Sequence, residues 1–168
     1  NKIKGVLYSQ YVDQFIGVSD YTRKHILKDY GSFLDKKTKV IYNGIDTSVF
    51  VKRSQENKNK FVVCSHLRHS KGIQDLIKAV AVLEEDIKNQ IQIDVYGEGP
   101  YEKELIDMNR VNNLEGIIHF KGGSSQLNKL LSNYRYLLQP TYMECFSLSI
   151  LESLAANVPV ITTPVGGN

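Results

Sequence analysis

Two carboxylates, Glu144 and Glu152, bracket the stretch ECFSLSILES, eight residues apart with small and apolar residues between them. On one helix that spacing sets them about 80° apart around the axis, close enough to act from one side. Pro140, Thr141 and Tyr142 follow a strand-like run, however, and Ser147 is a good N-cap. The expectation is therefore Glu144 in a loop and Glu152 in the second turn of a helix. The helix N-terminus, with free N–H groups over residues 147–150, then points out of the strand ends and offers an anion seat. Cys145, Ser147 and Ser149 are small enough to let a ligand approach that backbone. On spacing alone, two solvated acids on an amphipathic helix are the commoner outcome.

A second candidate is SHLRHSKG, residues 65–72. Arg68 suits bidentate contact with a phosphate and Lys71 suits a point-charge contact, although a basic loop in solvent is an equal alternative. His66 and His69 lack a third ligand and make a poor metal site. Gly97-Glu98-Gly99 resembles the start of a dinucleotide fingerprint, but position 102 is Glu, so a tight strand-to-helix turn explains it better. There is no phosphate-binding GxxxxGK[ST] loop, no GxSxG elbow, no HExxH and no Asp-x-Asp pair to hold a metal-bound diphosphate. Negative charge on a leaving group would have to be met by the protein itself.

These groups need a scaffold, and the pattern supplies one. Short β-rich runs at residues 61–64, 91–96, 116–120, 136–140 and 158–163 alternate with helical patterns at about 73–83, 101–111, 125–134 and 147–156. Pro100 reads as an early residue of the second of these helices. Such alternation specifies an α/β class: a Rossmann-like, mostly parallel sheet with helices on both faces, whose ligands bind at the carboxyl ends of the strands. Upstream, residues 13–18 read as a strand, 19–30 as a helix capped by Ser19 or Asp20, and VIYNGID (40–46) as a strand running into an Asn-Gly turn. The opening stretch reads as strand-like and the polar run 52–60 as a solvated loop. We expect residues 1–50 to close one domain and connect it to a second, 51–168, truncated at its C-terminal end.

The 168 residues are 42% hydrophobic and 23% charged, which fits an ordinary soluble globular chain. A net charge of +3 is too mild to imply nucleic acid as a partner. Cys64 and Cys145 lie far apart with no ligand spacing and read as free thiols of a reducing compartment. No apolar run reaches the roughly 20 residues of a spanning helix.

Taken in order, IYNGID, S-x-L-R-x-x-KG, VYGEGP, HFKG and P-T-x-x-ECFSLSILES-x-A-x-x-x-PVI-x-T-x-VGG resemble the motifs of the retaining group 1 glycosyltransferases (family 4, GT-B fold), and the similarity covers practically the whole chain. The resemblance implies a two-domain enzyme, of which this chain holds the last βα unit of the acceptor domain, a connector near Asn43-Gly44 and most of the donor domain. It implies that Glu152 bonds the ribose hydroxyls, that Glu144 lies by the donor sugar and that Lys71 contacts the diphosphate. It places the backbone of Phe146, Ser147, Leu148 and Ser149 under the diphosphate and sugar, and Gly97 and Lys121-Gly122 near the base. Departures from the common pattern are Ser65-His66 for Gly-Arg, with Arg68 fitting a variant placement of the arginine, and Asn157 for glycine at the helix end.

The implied reaction moves a hexose from a nucleoside-diphosphate donor to an acceptor hydroxyl with retention, as in polysaccharide, lipopolysaccharide or glycoconjugate synthesis. Lys71, Arg68 and the helix N-terminus would stabilise the departing diphosphate without a cofactor or metal. The acceptor, a glycan or lipid-linked molecule, would be held by the other domain, and this portion alone would bind donor without turnover. Cytoplasmic location follows, with peripheral association at the inner membrane face left open. A nucleotide-sugar-binding module without turnover and a GT-B sugar-nucleotide epimerase are the alternatives.

Overall fold

The computed structural model describes residues 2–54 and 59–168. Four residues of the polar run 52–60, namely 55–58, fall outside it. The chain divides into two compact units, the first comprising Asn1–Gly44, Glu144–Ser147 and Pro164–Asn168, the second Ile45–Met143 and Leu148–Thr163. No helix among the described residues is long and apolar enough to cross a membrane.

In the first unit the elements are α1 (Lys2–Ser9), β1 (Phe15–Gly17), α2 (Asp20–Tyr30) and β2 (Thr38–Val40), with β1 and β2 paired in parallel. Ser19 caps α2 as expected: its backbone is extended and its hydroxyl accepts from the Thr22 amide at 3.2 Å. Between α2 and β2, a 3-10 segment, Ser32–Lys37, buries Leu34 completely, and the Thr38 hydroxyl donates to the Leu34 carbonyl at 2.8 Å. Two expectations are corrected here. The opening stretch is helical rather than strand-like, because α1 lies close against α2: a Cβ on Gly5 would come 2.7 Å from the Tyr30 ring. The strand expected at 40–46 is instead β2, ending at Val40, after which a single bond from the Ile41 amide to the Gly17 carbonyl extends the pairing.

The second unit contains β3 (Lys60–Cys64), α3 (Ile73–Ala81), the short α4 (Glu85–Lys88), β4 (Gln92–Tyr96), α5 (Glu102–Val111), β5 (Ile118–Gly122), α6 (Leu127–Leu130), β6 (Tyr136–Gln139), α7 (Leu148–Ala155) and β7 (Val160–Thr162). All five strands are parallel, in the order β5-β4-β3-β6-β7. The order reverses between β3 and β6, the topological switch at which open α/β sheets bind ligands. Alternating strand residues divide the core into two layers. Val63, Ile93, Val95 and Ile118 pack with Ile73, Ile77 and Val80 of α3 and Leu105 of α5 on one face. On the other face Val62, Cys64 and Leu137 pack with Leu131, Tyr134 and Ala156, flanked by Leu127 of α6 and Ile150 of α7. Helices thus cover both faces, as the alternation predicts.

Boundaries shift where tertiary bonds outweigh local preference. Helix α5 starts at Glu102, leaving Pro100 outside it, because the Tyr101 amide donates to the Leu67 carbonyl in the loop after β3. Strand β5 runs two residues later than expected, with a register irregularity opposite Val95 and Tyr96. The helix expected over 125–134 is only α6 followed by a 3-10 turn, Leu131–Asn133. Three residues per turn there stacks Leu131 above Tyr134, both buried. Asn157 leaves α7 at φ 58°, the left-handed conformation in which asparagine can replace glycine.

Candidate functional site

The loop after β3 is fixed to the end of β6. Gly72, at φ 70°, lies so close to β6 that a Cβ would be 1.8 Å from the Pro140 carbonyl oxygen. The Thr141 hydroxyl and the Tyr142 amide both donate to the Ser70 carbonyl, at 3.1 and 2.9 Å. Lys71 is thereby held at the switch point, at the end of the 3-10 turn His69–Lys71, while Arg68 just before it is exposed. Across the same switch, the Ser149 hydroxyl in the first turn of α7 donates to the Cys64 carbonyl at the end of β3, at 2.7 Å.

A cavity of about 420 Å³ opens at these strand ends. Cys64, Ser65 and His66 line it after β3, Tyr96, Gly97 and Glu98 after β4, and Gly123 and Ser124 after β5, with Ser149 closing the α7 side. Its rim is cross-linked by hydrogen bonds: the Gly97 amide donates to Gly122, the Gly123 amide to the Glu98 carboxylate, and the Leu67 amide to the Glu98 carbonyl. The Ser65 hydroxyl is buried, with no hydrogen-bond partner among the described residues.

Glu152 lies on the same side of α7 as Ser149, three residues on. Its carboxylate is half-buried, and burial raises its pKa. Among the described residues it makes no hydrogen bond or ion pair; its one electrostatic neighbour is Cys64, whose thiol is pushed up to about 12, first by burial and then by the Glu152 charge. Cys145 is exposed. A thiol reagent at mildly alkaline pH should therefore modify one cysteine in the native protein and both after denaturation. Rapid native labelling of both would contradict the burial of Cys64.

Beneath Tyr96 lies a buried polar cluster. Asp94, 5% exposed, accepts from the Tyr134 hydroxyl at 2.7 Å and from the Gln92 side-chain Nε2 at 3.0 Å, with His119 Nδ1 at 3.3 Å and Lys121 Nζ at 3.8 Å. Burial works to raise its pKa, but these donors outweigh burial and hold it below the usual carboxylate value. Tyr134 is raised, by burial first and by its bonds to Tyr96 and Asp94 next.

Within the first unit, Glu144 turns its carboxylate back onto its own loop and accepts from the Cys145 and Phe146 amides at 3.0 and 3.4 Å. The Gly167 amide donates to the Glu144 carbonyl and the Ser19 hydroxyl to the Cys145 carbonyl, while the Phe146 ring lies 6.1 Å from that of Tyr42. The sequence candidates thus fall in two groups. Glu144, Phe146 and Ser147 belong to the first unit, whereas Lys71, Arg68, Gly97, Lys121, Leu148, Ser149 and Glu152 belong to the second. Of the latter, Gly97 and Ser149 line the cavity, and Lys121 approaches Asp94 instead. Residues that no candidate motif of the sequence singles out are Ser124, which lines the cavity, and Asp94, buried beneath it. No group of three or more His, Cys, Asp or Glu that could hold a metal ion occurs among the described residues.

Residues 44–168 match the family model described as Glycosyl transferases group 1. The chain belongs to this family. It is 27% identical over 160 residues to MMP alpha-(1->4)-mannosyltransferase of Mycolicibacterium hassiacum, covering 92% of this chain and 38% of that protein. It is also 27% identical over 143 residues to N-acetyl-alpha-D-glucosaminyl L-malate synthase of Bacillus anthracis, covering 79% of this chain and 37% of that one. This group 1 glycosyltransferase chain therefore spans well under half the length of these relatives. Its fold matches the solved Anabaena Alr3699/HepE in complex with UDP-glucose at a TM-score of 0.86, with 22% identity over 99% of this chain and 49% of that one. It also matches WaaG, a glycosyltransferase involved in lipopolysaccharide biosynthesis, at 0.78, with 21% identity over 90% of this chain and 44% of that one.

Proposed function

We propose that the second unit binds the nucleoside-diphosphate part of a sugar donor, and that the whole protein transfers the sugar to an acceptor hydroxyl with retention at the anomeric carbon. The observation that carries this reading is Glu152: a half-buried carboxylate without a protein hydrogen-bond partner among the described residues, one turn of α7 from Ser149, which lines the cavity at the sheet's switch point. Such a group is left with acceptor capacity that ribose hydroxyls would satisfy. The solved relatives support the ligand class, since Alr3699/HepE is described with UDP-glucose and TarM of S. aureus with UDP.

The departing diphosphate carries growing negative charge, and we assign its stabilisation to Lys71, Arg68 and the N-terminus of α7 over Leu148 and Ser149, without a metal ion. Glu144 is assigned to the donor sugar on its place in the motif; its carboxylate would have to exchange its own loop amides for sugar hydroxyls. Glu144 and Glu152 then act by positioning rather than as acid and nucleophile. The acceptor, a glycan or lipid-linked hydroxyl, belongs to the whole protein, as does any residence at the inner face of a membrane.

Calorimetry with UDP, GDP and ADP tests the donor reading: one of the three should bind, and binding of none would sink it. Lys71→Ala should weaken the preferred diphosphate about tenfold, a loss of roughly 1.4 kcal/mol, while barely changing affinity for the corresponding nucleoside. An equal loss for both would remove Lys71 from the diphosphate. Transfer by the complete protein from the preferred UDP-, GDP- or ADP-sugar, retained in the presence of a chelator, separates a metal-independent transferase from a module that only binds.

A further inference from the structure

We propose that Asp94 is a positioning residue for the nucleotide cavity, acting through the hydroxyls of Tyr134 and Tyr96; this rests on the donor-binding reading above. The face of β4 that carries Gln92, Asp94 and Tyr96 is opposite its apolar face, Ile93 and Val95, and β5 repeats the pattern with His119 and Lys121. A sheet of this kind is ordinarily apolar on both faces. Burying a carboxylate there is unfavourable unless its partners are well placed, and apolar residues of similar volume would serve stability as well or better. Asp94 is nonetheless 5% exposed and surrounded by four donors: Gln92, His119, Lys121 and Tyr134.

The direction of the chain of bonds follows from proton count. A phenol has one proton, and that of Tyr134 belongs on the 2.7 Å bond to the charged Asp94 oxygen. The 3.2 Å contact between the two phenols then has Tyr96 donating to the Tyr134 oxygen. Tyr96 is half-buried, lines the cavity and stands edge-on to Tyr134, with ring centroids 6.5 Å apart and planes at 78°. It is also the last residue of β4, and Gly97 and Glu98 continue directly into the cavity rim. Its carbonyl accepts from the Ser65 amide, which follows the end of the neighbouring strand β3 and also lines the cavity. Asp94 therefore fixes the ring that forms one wall and the strand end from which the rim departs. It touches no ligand itself and acts only through Tyr134.

A double-mutant cycle on the complete protein tests this, with Tyr134→Phe and Tyr96→Phe read by calorimetry against UDP, GDP and ADP well below each variant's melting temperature. Both substitutions keep the ring and remove only a hydroxyl. Tyr134→Phe should weaken the preferred nucleotide about five- to tenfold. In the Tyr96→Phe background the same change should have little further effect, because the two hydroxyls work in series. Asp94→Asn, which keeps shape but removes charge, should fall between wild type and Tyr134→Phe. Stability loss with unchanged nucleotide affinity, or additive losses in the double variant, would overturn the proposal and leave the donor reading intact. Absence of nucleotide binding by the wild type would overturn both.

Discussion

Gly97→Ala should lower the stability of the protein by roughly 2–6 kcal/mol and abolish nucleotide binding with it. Gly97 has φ 140°, a conformation that L-residues with side chains rarely adopt. A Cβ built there would be 1.8 Å from the Ser65 carbonyl oxygen and 2.9 Å from its carbon. Both atoms are backbone, so no rotamer change relieves the collision. Neither strand can retreat cheaply: the Ser65 amide is bonded to Tyr96 at 3.1 Å and the Gly97 amide to Gly122 at 2.9 Å. Relief would have to separate the ends of β3 and β4, the two strands that carry most of the cavity lining. Urea denaturation gives the measurement, and a midpoint like that of the wild type would contradict the close approach. Gly116→Ala is the matched control, since a Cβ there meets nothing within 4 Å and its φ is ordinary; its midpoint should hardly move.

That turn also shows what the sequence made legible. Gly-Glu-Gly-Pro after a β-rich run marks a tight exit from a strand, and the structure has one. The alternation of runs likewise yields the parallel sheet and its two helical layers, because periodicity reports which residues share a face. It does not report what covers that face. In IQIDVY the alternation separates Ile93 and Val95 from Gln92, Asp94 and Tyr96, and a polar face ordinarily meets water. Burial of Asp94 comes from Tyr134, 40 residues away, which the short 3-10 turn after α6 brings over the sheet. The same limit applies to ECFSLSILES. Spacing suggests one helix face or one loop and one helix, and the structure has the latter, with Glu152 in the second turn of α7. The half-burial of Glu152 against the end of β3 is tertiary and invisible in the spacing, as is the allocation of Glu144 to the other unit. Helix α1 is not legible in the sequence because KIKGVLYS combines a central glycine with β-branched residues, and its packing on α2 rather than its propensity holds it.

Glu152→Gln should have opposite effects on the empty and the liganded protein. In the empty protein the carboxylate is half-buried, with no hydrogen-bond partner among the described residues, and burial raises its pKa above the unfolded value. A raised carboxyl pKa means that the folded state holds its proton more tightly than the unfolded chain. The favourable contribution is fully present below the unfolded pKa and is lost as pH rises through the folded one, so at neutral pH the ionised group opposes folding. Glutamine has the same shape and no charge to desolvate. Glu152→Gln should therefore melt higher than wild type at neutral pH, and the gap should close as pH falls and the wild-type carboxyl gains its proton. Nucleotide binding should go the other way. If Glu152 accepts from ribose hydroxyls, exchanging a charged acceptor for an amide, one of whose ends is a donor, should cost about 10- to 100-fold in affinity. Free pyrophosphate, which has no ribose, should bind the variant and the wild type alike. Thermal melts across the acid range and calorimetry with nucleotide and pyrophosphate separate the cases. Equal losses for nucleotide and pyrophosphate would assign Glu152 to the diphosphate, and a variant that melts lower than wild type at neutral pH would show that the carboxylate is already satisfied by the protein.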